Sequence, residues 1–364
     1  MAHDEQIRGR GAVRNVPGRF ERFHAPDADD PPDPDFDDPP PLETTLTPDH
    51  ARSILATNDS PDVPFDQSIN PYRGCEHGCT YCFARATHAY LGLSPGLDFE
   101  TRLFYKPEAA ALLRAELGRP SYRCRPIALG ANTDPYQPVE RRLGLTRAIL
   151  EVLAEHLHPL TVVTKSHLVV RDLDLLGRLA RERLAVVYVS ITTLDPTLAR
   201  SMEPRAASPR RRLEALGELA AAGVPTGVLV SPVVPGLTES EVESILEAAA
   251  GAGARAAGCM LLRLPHEVEQ VFVDWLRASY PTRVERVLTG LREAYGGRLY
   301  DARFGMRGVG RGPRAELLER RFEIAARRLG LSSERFDLDT TRFRVPGRPA
   351  QPGLFDDEPP AARS

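Results

Sequence analysis

The chain has 364 residues, 42% hydrophobic and 27% charged, a length and balance that suit one large domain with tails and allow a sizeable buried core. No apolar stretch approaches the ~20 residues that a membrane span needs. The Arg-, Asp- and Pro-rich first thirty residues lack the apolar core of a secretory signal, so a soluble, cytoplasmic protein without a membrane partner is expected. A net charge of −3 excludes little, because acidic tails offset a basic interior.

Residues 1–45 have few branched apolars and include DADDPPDPDFDDPPP, a composition predicting a disordered tail. Within it, RGRGAVRNVPGRFER has the character of an arm that lies on an acidic partner, lies on its own domain, or stays solvated. Short apolar runs at 68–73, 126–131, 160–164, 184–191, 226–230 and 258–262 do not alternate cleanly, as expected for parallel strands buried on both faces. Helical patterns fall between them at 107–117, 146–156, 171–183, 209–222 and 238–250. The last opens on a near capping box at Thr238–Glu241, and the fourth stops at Gly223.

Six such units predict an α/β fold, a partial (βα)6 TIM-type barrel over 46–265, with ligands at the carboxyl ends of its strands. Patterns at 267–277, 282–294 and 315–329 predict a C-terminal helical extension over 266–345. The Pro-rich 346–364 predicts a second disordered tail.

Five cysteines are present, and three of them lie in NPYRGCEHGCTYCFAR. Cys75, Cys79 and Cys82, spaced C-x3-C-x2-C, are too clustered for a disulfide framework and point to metal. A four-iron cubane held by three thiolates leaves one iron open for a small chelating molecule. Gly74 and Gly78 suit the turns this requires, and Tyr81 and Phe83 suit shielding. The alternatives are a zinc site completed by His77 or His88, or three unligated buried cysteines. His77, inside the turn, is expected to face solvent or to sit behind the ligands.

The cysteine spacing, the aromatic residue before Cys82 and the six βα units resemble the radical S-adenosylmethionine (SAM) superfamily over roughly residues 68–264. NPYRGC, TYC, TDPYQP and TKS resemble its branch containing spore photoproduct lyase and uncharacterised bacterial relatives. The resemblance implies a [4Fe-4S] cluster on Cys75, Cys79 and Cys82, SAM on the open iron, and a lyase-like radical enzyme. Asn132, Thr133 and Asp134 then correspond to the polar motif facing the SAM ammonium, although the commoner form is Gly-Gly-Glu. An Asx turn before Pro135 is the other reading. Lys165 resembles a cofactor-contacting lysine, or is simply solvated. Ser190 falls where relatives hold the ribose or carboxylate, or is a buried strand serine. Such enzymes take electrons from a donor such as flavodoxin or ferredoxin.

Spore photoproduct lyase returns a hydrogen atom from a cysteine, and Cys124 is the candidate here, against a structural role; Cys259 is assigned to packing. The segments around Arg210–Arg212 and Arg307–Arg314 are basic; the second, Gly-rich, suits a phosphate backbone, with Tyr300 and Phe304 nearby to stack on a base, or is an exposed basic loop. QPGLF at 351–355 resembles the peptide by which bacterial repair proteins dock on the DNA sliding clamp. The reading is a radical SAM enzyme acting in repair or modification of nucleic acid. One alternative is the same chemistry on a protein or small molecule. Another is a non-catalytic Fe–S or zinc protein that binds nucleic acid or senses redox state.

Overall fold

A computed structural model describes residues 7, 9–20, 43–63, 65–334 and 336–347. Ten strands form two sheets: β1 (Thr45–Pro48), β2 (Leu55–Thr57), β3 (Gln67–Ile69), β4 (Tyr72–Arg73), β5 (Arg102–Tyr105), β6 (Ile127–Leu129), β7 (Leu160–Thr164), β8 (Ala185–Ser190), β9 (Thr226–Val233) and β10 (Ala256–Leu261). The main sheet has seven strands in the order β10-β9-β8-β7-β6-β3-β2. Its six strands from β3 to β10 are parallel, and β2 joins antiparallel at one edge. The sheet is open. This is the expected six-unit arrangement, in which each crossover helix lays an apolar face on the sheet.

The strands form where Val, Ile and Leu cluster: Ile127, Val162, Val187, Val189 and Val228 share one core with the apolar faces of helices Leu145–Glu155, Leu173–Arg181 and Pro209–Ala221. The expected strand over 68–73 is broken in two. Pro71 has no N–H to extend the ladder, so β3 stays in the main sheet while β4 pairs with β5 in a small sheet ordered β1-β5-β4. Gly223 adopts φ +77 at the predicted helix stop. The capping box does not form. Thr238 Oγ accepts from Val234 N–H, Glu241 binds Thr193 and the Leu194 N–H, and the helix begins only at Val242.

The C-terminal region contributes helices Val268–Ser279, Val284–Ala294 and Pro313–Arg328. The last covers the β10 side of the sheet, with Arg321 paired to Glu243 at 2.6 Å. Ser332 forms a bridge to Ala256, and its carbonyl accepts from Ala257 N–H at 2.9 Å. An otherwise bare parallel edge is thereby occupied. Among the described residues no helix is long and apolar enough to cross a membrane.

Part of the segment expected to be a disordered tail is ordered instead. Arg10, Ala12, Val13 and Val16 are buried. The N–H groups of Gly11 and Ala12 donate to the two carboxylate oxygens of Glu100 at 2.9 and 2.8 Å. Gly11 lies so close to the Gly78 carbonyl that an added Cβ would sit 1.7 Å from its oxygen. Ala12 and Val16 pack on Val271, and Arg14 bonds Asp274. Of the three readings of the arm, the structure takes the second: it straps its own domain. Residues 1–6, 8 and 21–42 of that tail, and the 351–355 peptide, lie outside the described residues.

Candidate functional site

The chain leaves β3 at Ile69 and forms the cysteine loop, whose Gly74 and Gly78 take φ +79 and +66. Both sit in tight quarters: an added Cβ would lie 2.5 Å from Leu103 at Gly74 and 2.7 Å from Glu100 at Gly78. Arg85, fully buried, ties the loop together by donating to the carbonyls of Gly78, Cys79, Pro95 and Gly96 and to Glu100. Glu100 is thus held by Arg85 and by the N-terminal strap at once, which compensates a carboxylate removed from water. Gln137 fastens the other end of the loop, accepting from Glu76 N–H at 2.9 Å and donating to the Gly74 carbonyl at 3.2 Å.

Cys75, Cys79 and Cys82 are free thiols, the first two buried and the third partly so. Burial pushes all three thiols up, and the other cysteines add to the shift of Cys75. Three adjacent thiols that cannot comfortably ionise together fit a cationic cluster, which would take them as thiolates and release their protons. No three His, Cys, Asp or Glu side chains among the described residues close on a single ion. A cubane, by contrast, spreads its thiolates over separate irons, so the donor set fits it better than zinc.

Each candidate fourth zinc ligand has one ring nitrogen placed against another group. His77 is 2% exposed, not solvent-facing, and its Nδ1 lies 3.4 Å from Asp134 Oδ2. His88 is buried against Phe99, with Nε2 3.0 Å from the Arg102 carbonyl oxygen.

The loops at the other carboxyl ends converge on the same place. Asp134, after β6, accepts from Thr164 Oγ (2.7 Å), Lys165 N–H (2.7 Å) and Tyr136 N–H (2.9 Å). Burial opposes its ionisation, yet His77 and these hydrogen bonds bring its pKa down to about 2. The last of the bonds is the Asx turn anticipated before Pro135, so Asp134 braces the loops and its oxygens are largely taken. Thr133 is likewise spent on the Tyr72 carbonyl at 3.0 Å. Asn132 alone of the three keeps an amide side chain with no described partner.

Lys165 Nζ lies 2.8 Å from Ser190 Oγ and 5.8 Å from the Tyr81 ring centre. Ser190 passes its own proton to the Ser231 carbonyl at 2.8 Å. Beneath them is a buried network not anticipated from sequence. Glu203 accepts from Tyr81 OH, from Thr192 Oγ at 2.9 Å and from Arg212, and Arg212 also donates to the Ser190 carbonyl at 3.0 Å. Burial works against Glu203, but the charges of Arg212 and Lys165 hold its pKa near 2.

Other candidates are not brought here. Cys124 precedes β6, beside Tyr122 and His158 at the amino-terminal end of the sheet, where a cavity of about 290 Å³ is lined by Glu116, Arg119, Tyr122 and Arg125. Burial pushes its thiol up to about 12. Cys124 therefore lies at the end of the sheet opposite the cysteine loop. Cys259 lies on β10.

The basic segments are largely neutralised. Arg212 is buried on Glu203, Arg307 pairs with Asp62, and Arg314 pairs with Glu239 and Glu293. Phe304 remains 62% exposed, with the Arg307 guanidinium 4.7 Å over its ring.

Residues 69–249 match the family described as the Radical SAM superfamily. An uncharacterised protein of Mycobacterium tuberculosis is 42% identical over 226 residues, covering 62% of this chain and 66% of that protein. The chain thus spans just under two thirds of these curated relatives. An uncharacterised protein of Methanocaldococcus jannaschii is 28% identical over 48% of this chain and 62% of its own length. Among solved structures, spore photoproduct lyase complexed with dinucleoside spore photoproduct superposes with a TM-score of 0.55 at 18% identity, covering 79% of this chain and 80% of that one. The same enzyme has been solved with bound AdoMet, also at a TM-score of 0.55, 18% identity and the same coverage. At this identity the likeness is one of fold.

Proposed function

We propose that the chain, whose residues 69–249 match the Radical SAM superfamily, is a radical SAM enzyme whose substrate is nucleic acid. The observation that carries the chemistry is the set of three free thiols on one loop, with Lys165 facing them. Bound to Cys75, Cys79 and Cys82, a [4Fe-4S] cluster supplies reductive cleavage of SAM to a 5′-deoxyadenosyl radical, with electrons from a flavodoxin or ferredoxin.

The chain's own residues do the rest. Lys165, held by the Ser190 hydroxyl, is a cation suited to the SAM carboxylate. The unengaged amide of Asn132 suits the SAM ammonium. The Tyr81 ring, fixed through its hydroxyl to Glu203, walls the space between Lys165 and the cysteines and keeps water out. The strap at residues 9–20 covers the outer side of the cysteine loop.

The nucleic-acid reading is supported by the exposed ring of Phe83 beside Arg263, a pairing suited to a base and a phosphate, and by the exposed ring of Phe304, which suits stacking on a base. It is tested by following 5′-deoxyadenosine release by the reduced, reconstituted protein with and without ultraviolet-irradiated or modified DNA and RNA. Turnover stimulated by one of these supports the reading. Stimulation by none of them, with SAM cleavage intact, moves the substrate to a protein or small molecule.

A further inference from the structure

Arg263 follows β10 by two residues, and its guanidinium stands 5.0 Å over the ring of Phe83, the residue directly after Cys82. Phe83 is 40% exposed. Arg263 Nε is buried without an acceptor, and the side chain makes no hydrogen bond or ion pair among the described residues. Of the cations around the cysteine loop, Lys165 is held by Ser190, Arg205 by Glu76, Arg212 by Glu203 and Arg307 by Asp62.

Asp62 feels the Arg263 charge but is occupied, accepting from Arg307 at 2.5 Å and from Gly305 N–H at 2.7 Å. Asp301 is likewise paired with Arg303. Besides Lys165, whose partner is a neutral hydroxyl, Arg263 therefore keeps its charge uncompensated beside the cysteine loop.

Withdrawing a guanidinium donor from water without an acceptor is unfavourable, and stacking on Phe83 offsets only part of that. The missing partner is an oxyanion, which a guanidinium grips through parallel N–H bonds. It is a different anion from the SAM carboxylate. In the strand order β10-β9-β8-β7, Arg263 and Lys165 are three strands apart, about 14 Å along the sheet at ordinary spacing. An oxyanion beside an open aromatic face describes a nucleotide unit, with phosphate on the guanidinium and base against the ring.

We propose that Arg263 and Phe83 form a subsite that binds a nucleotide unit of the substrate, phosphate to Arg263 and base to Phe83. This rests on the nucleic-acid reading above and adds to it the point at which the strand is held.

The test is fluorescence anisotropy of the anaerobic holoenzyme with a labelled single-stranded DNA 12-mer and, separately, a labelled mononucleotide, over a series of salt concentrations. SAM binding is followed in parallel by equilibrium dialysis. Arg263→Ala is expected to weaken the oligonucleotide about tenfold and to lower the salt slope by about one, with SAM affinity unchanged. Arg263→Lys should weaken it less, and Phe83→Ala should weaken it at an unchanged slope. Arg181→Ala, on the helix Leu173–Arg181, should change nothing.

Mononucleotide binding that is lost in Arg263→Ala, with no oligonucleotide binding by the wild type, keeps the subsite and transfers it to a free nucleotide. Equal oligonucleotide affinity and slope in wild type and Arg263→Ala overturns the subsite and leaves the nucleic-acid reading standing. Loss of SAM affinity alone overturns it by assigning the anion to SAM. A wild type that binds neither probe sinks both.

Discussion

Lys165 Nζ lies 2.8 Å from Ser190 Oγ and forms no salt bridge with any carboxylate among the described residues. A cation held by a neutral hydroxyl keeps its charge available to an incoming anion, whereas a carboxylate partner would cancel it. Lys165→Met is predicted to weaken SAM binding by at least tenfold, while iron content and the cluster absorbance stay at wild-type values. Ser190→Ala should have a smaller effect in the same direction. Equilibrium dialysis with SAM checks both, and unchanged affinity in Lys165→Met would remove the lysine from the cofactor site.

Gly11 has no room for a side chain against the Gly78 carbonyl. Gly11→Val should therefore lift the strap from Glu100 and uncover the cysteine loop. The prediction is several-fold faster alkylation of Cys75, Cys79 and Cys82 by iodoacetamide in the metal-free chain, read by peptide mass mapping. Gly251→Ala, whose added methyl meets nothing within 4 Å, should alkylate at the wild-type rate. Equal rates in all three proteins would show that the strap does not guard the loop.

Glu203 and Arg212 are each 1% exposed at the side chain and bind one another. Removing one leaves an uncompensated buried charge, which costs roughly 3–5 kcal/mol. Glu203→Leu and Arg212→Met should each lose about that much in urea unfolding of the metal-free chain. The double variant should lose less than the two singles added together. Strict additivity would mean that the pair is not coupled.

His158 is buried, with Nδ1 donating to the Pro159 carbonyl at 2.9 Å and Nε2 facing Tyr122 OH at 2.7 Å. Burial lowers its pKa to about 4, and burial does the same to His88. The unfolded chain, with histidines near the ordinary value of about 6.5, then binds more protons than the folded one between these limits. Stability is complete above about pH 6.5 and falls as pH drops toward 4. At about 1.4 kcal/mol per pH unit, the ceiling is on the order of 3 kcal/mol for each histidine. Urea midpoints from pH 7 to 4.5 should decline, and His158→Gln should flatten that decline. An unaltered slope in the variant would contradict the assignment.

The three-cysteine loop and the parallel sheet were legible in the sequence because their information is local. Cys75, Cys79 and Cys82 share one loop, and each buried strand is a short run of branched apolars. What was not legible depends on distant partners. Tyr81 meets Glu203 across 122 positions, and Gly11 meets Glu100 across 89, so nothing near either residue announces the contact. Arg212 stood in a basic stretch with nothing to set it apart, although helix geometry turns it inward beside its exposed neighbour Arg210. The position of Cys124 was not legible, because proximity to a strand in sequence does not say at which end of the sheet a residue lies. Gln137 lay within TDPYQP, but its grip on the cysteine loop needed the fold to become visible.

The central claim is that Cys75, Cys79 and Cys82 hold a cluster that cleaves SAM. The most direct measurement is anaerobic reconstitution with iron and sulfide, reduction, addition of SAM, and quantitation of iron and 5′-deoxyadenosine together. About four irons per chain and formation of 5′-deoxyadenosine, both lost in Cys79→Ala, are the predicted result. A colourless protein loaded with zinc, or a full complement of iron with SAM left intact under strong reduction, would contradict it.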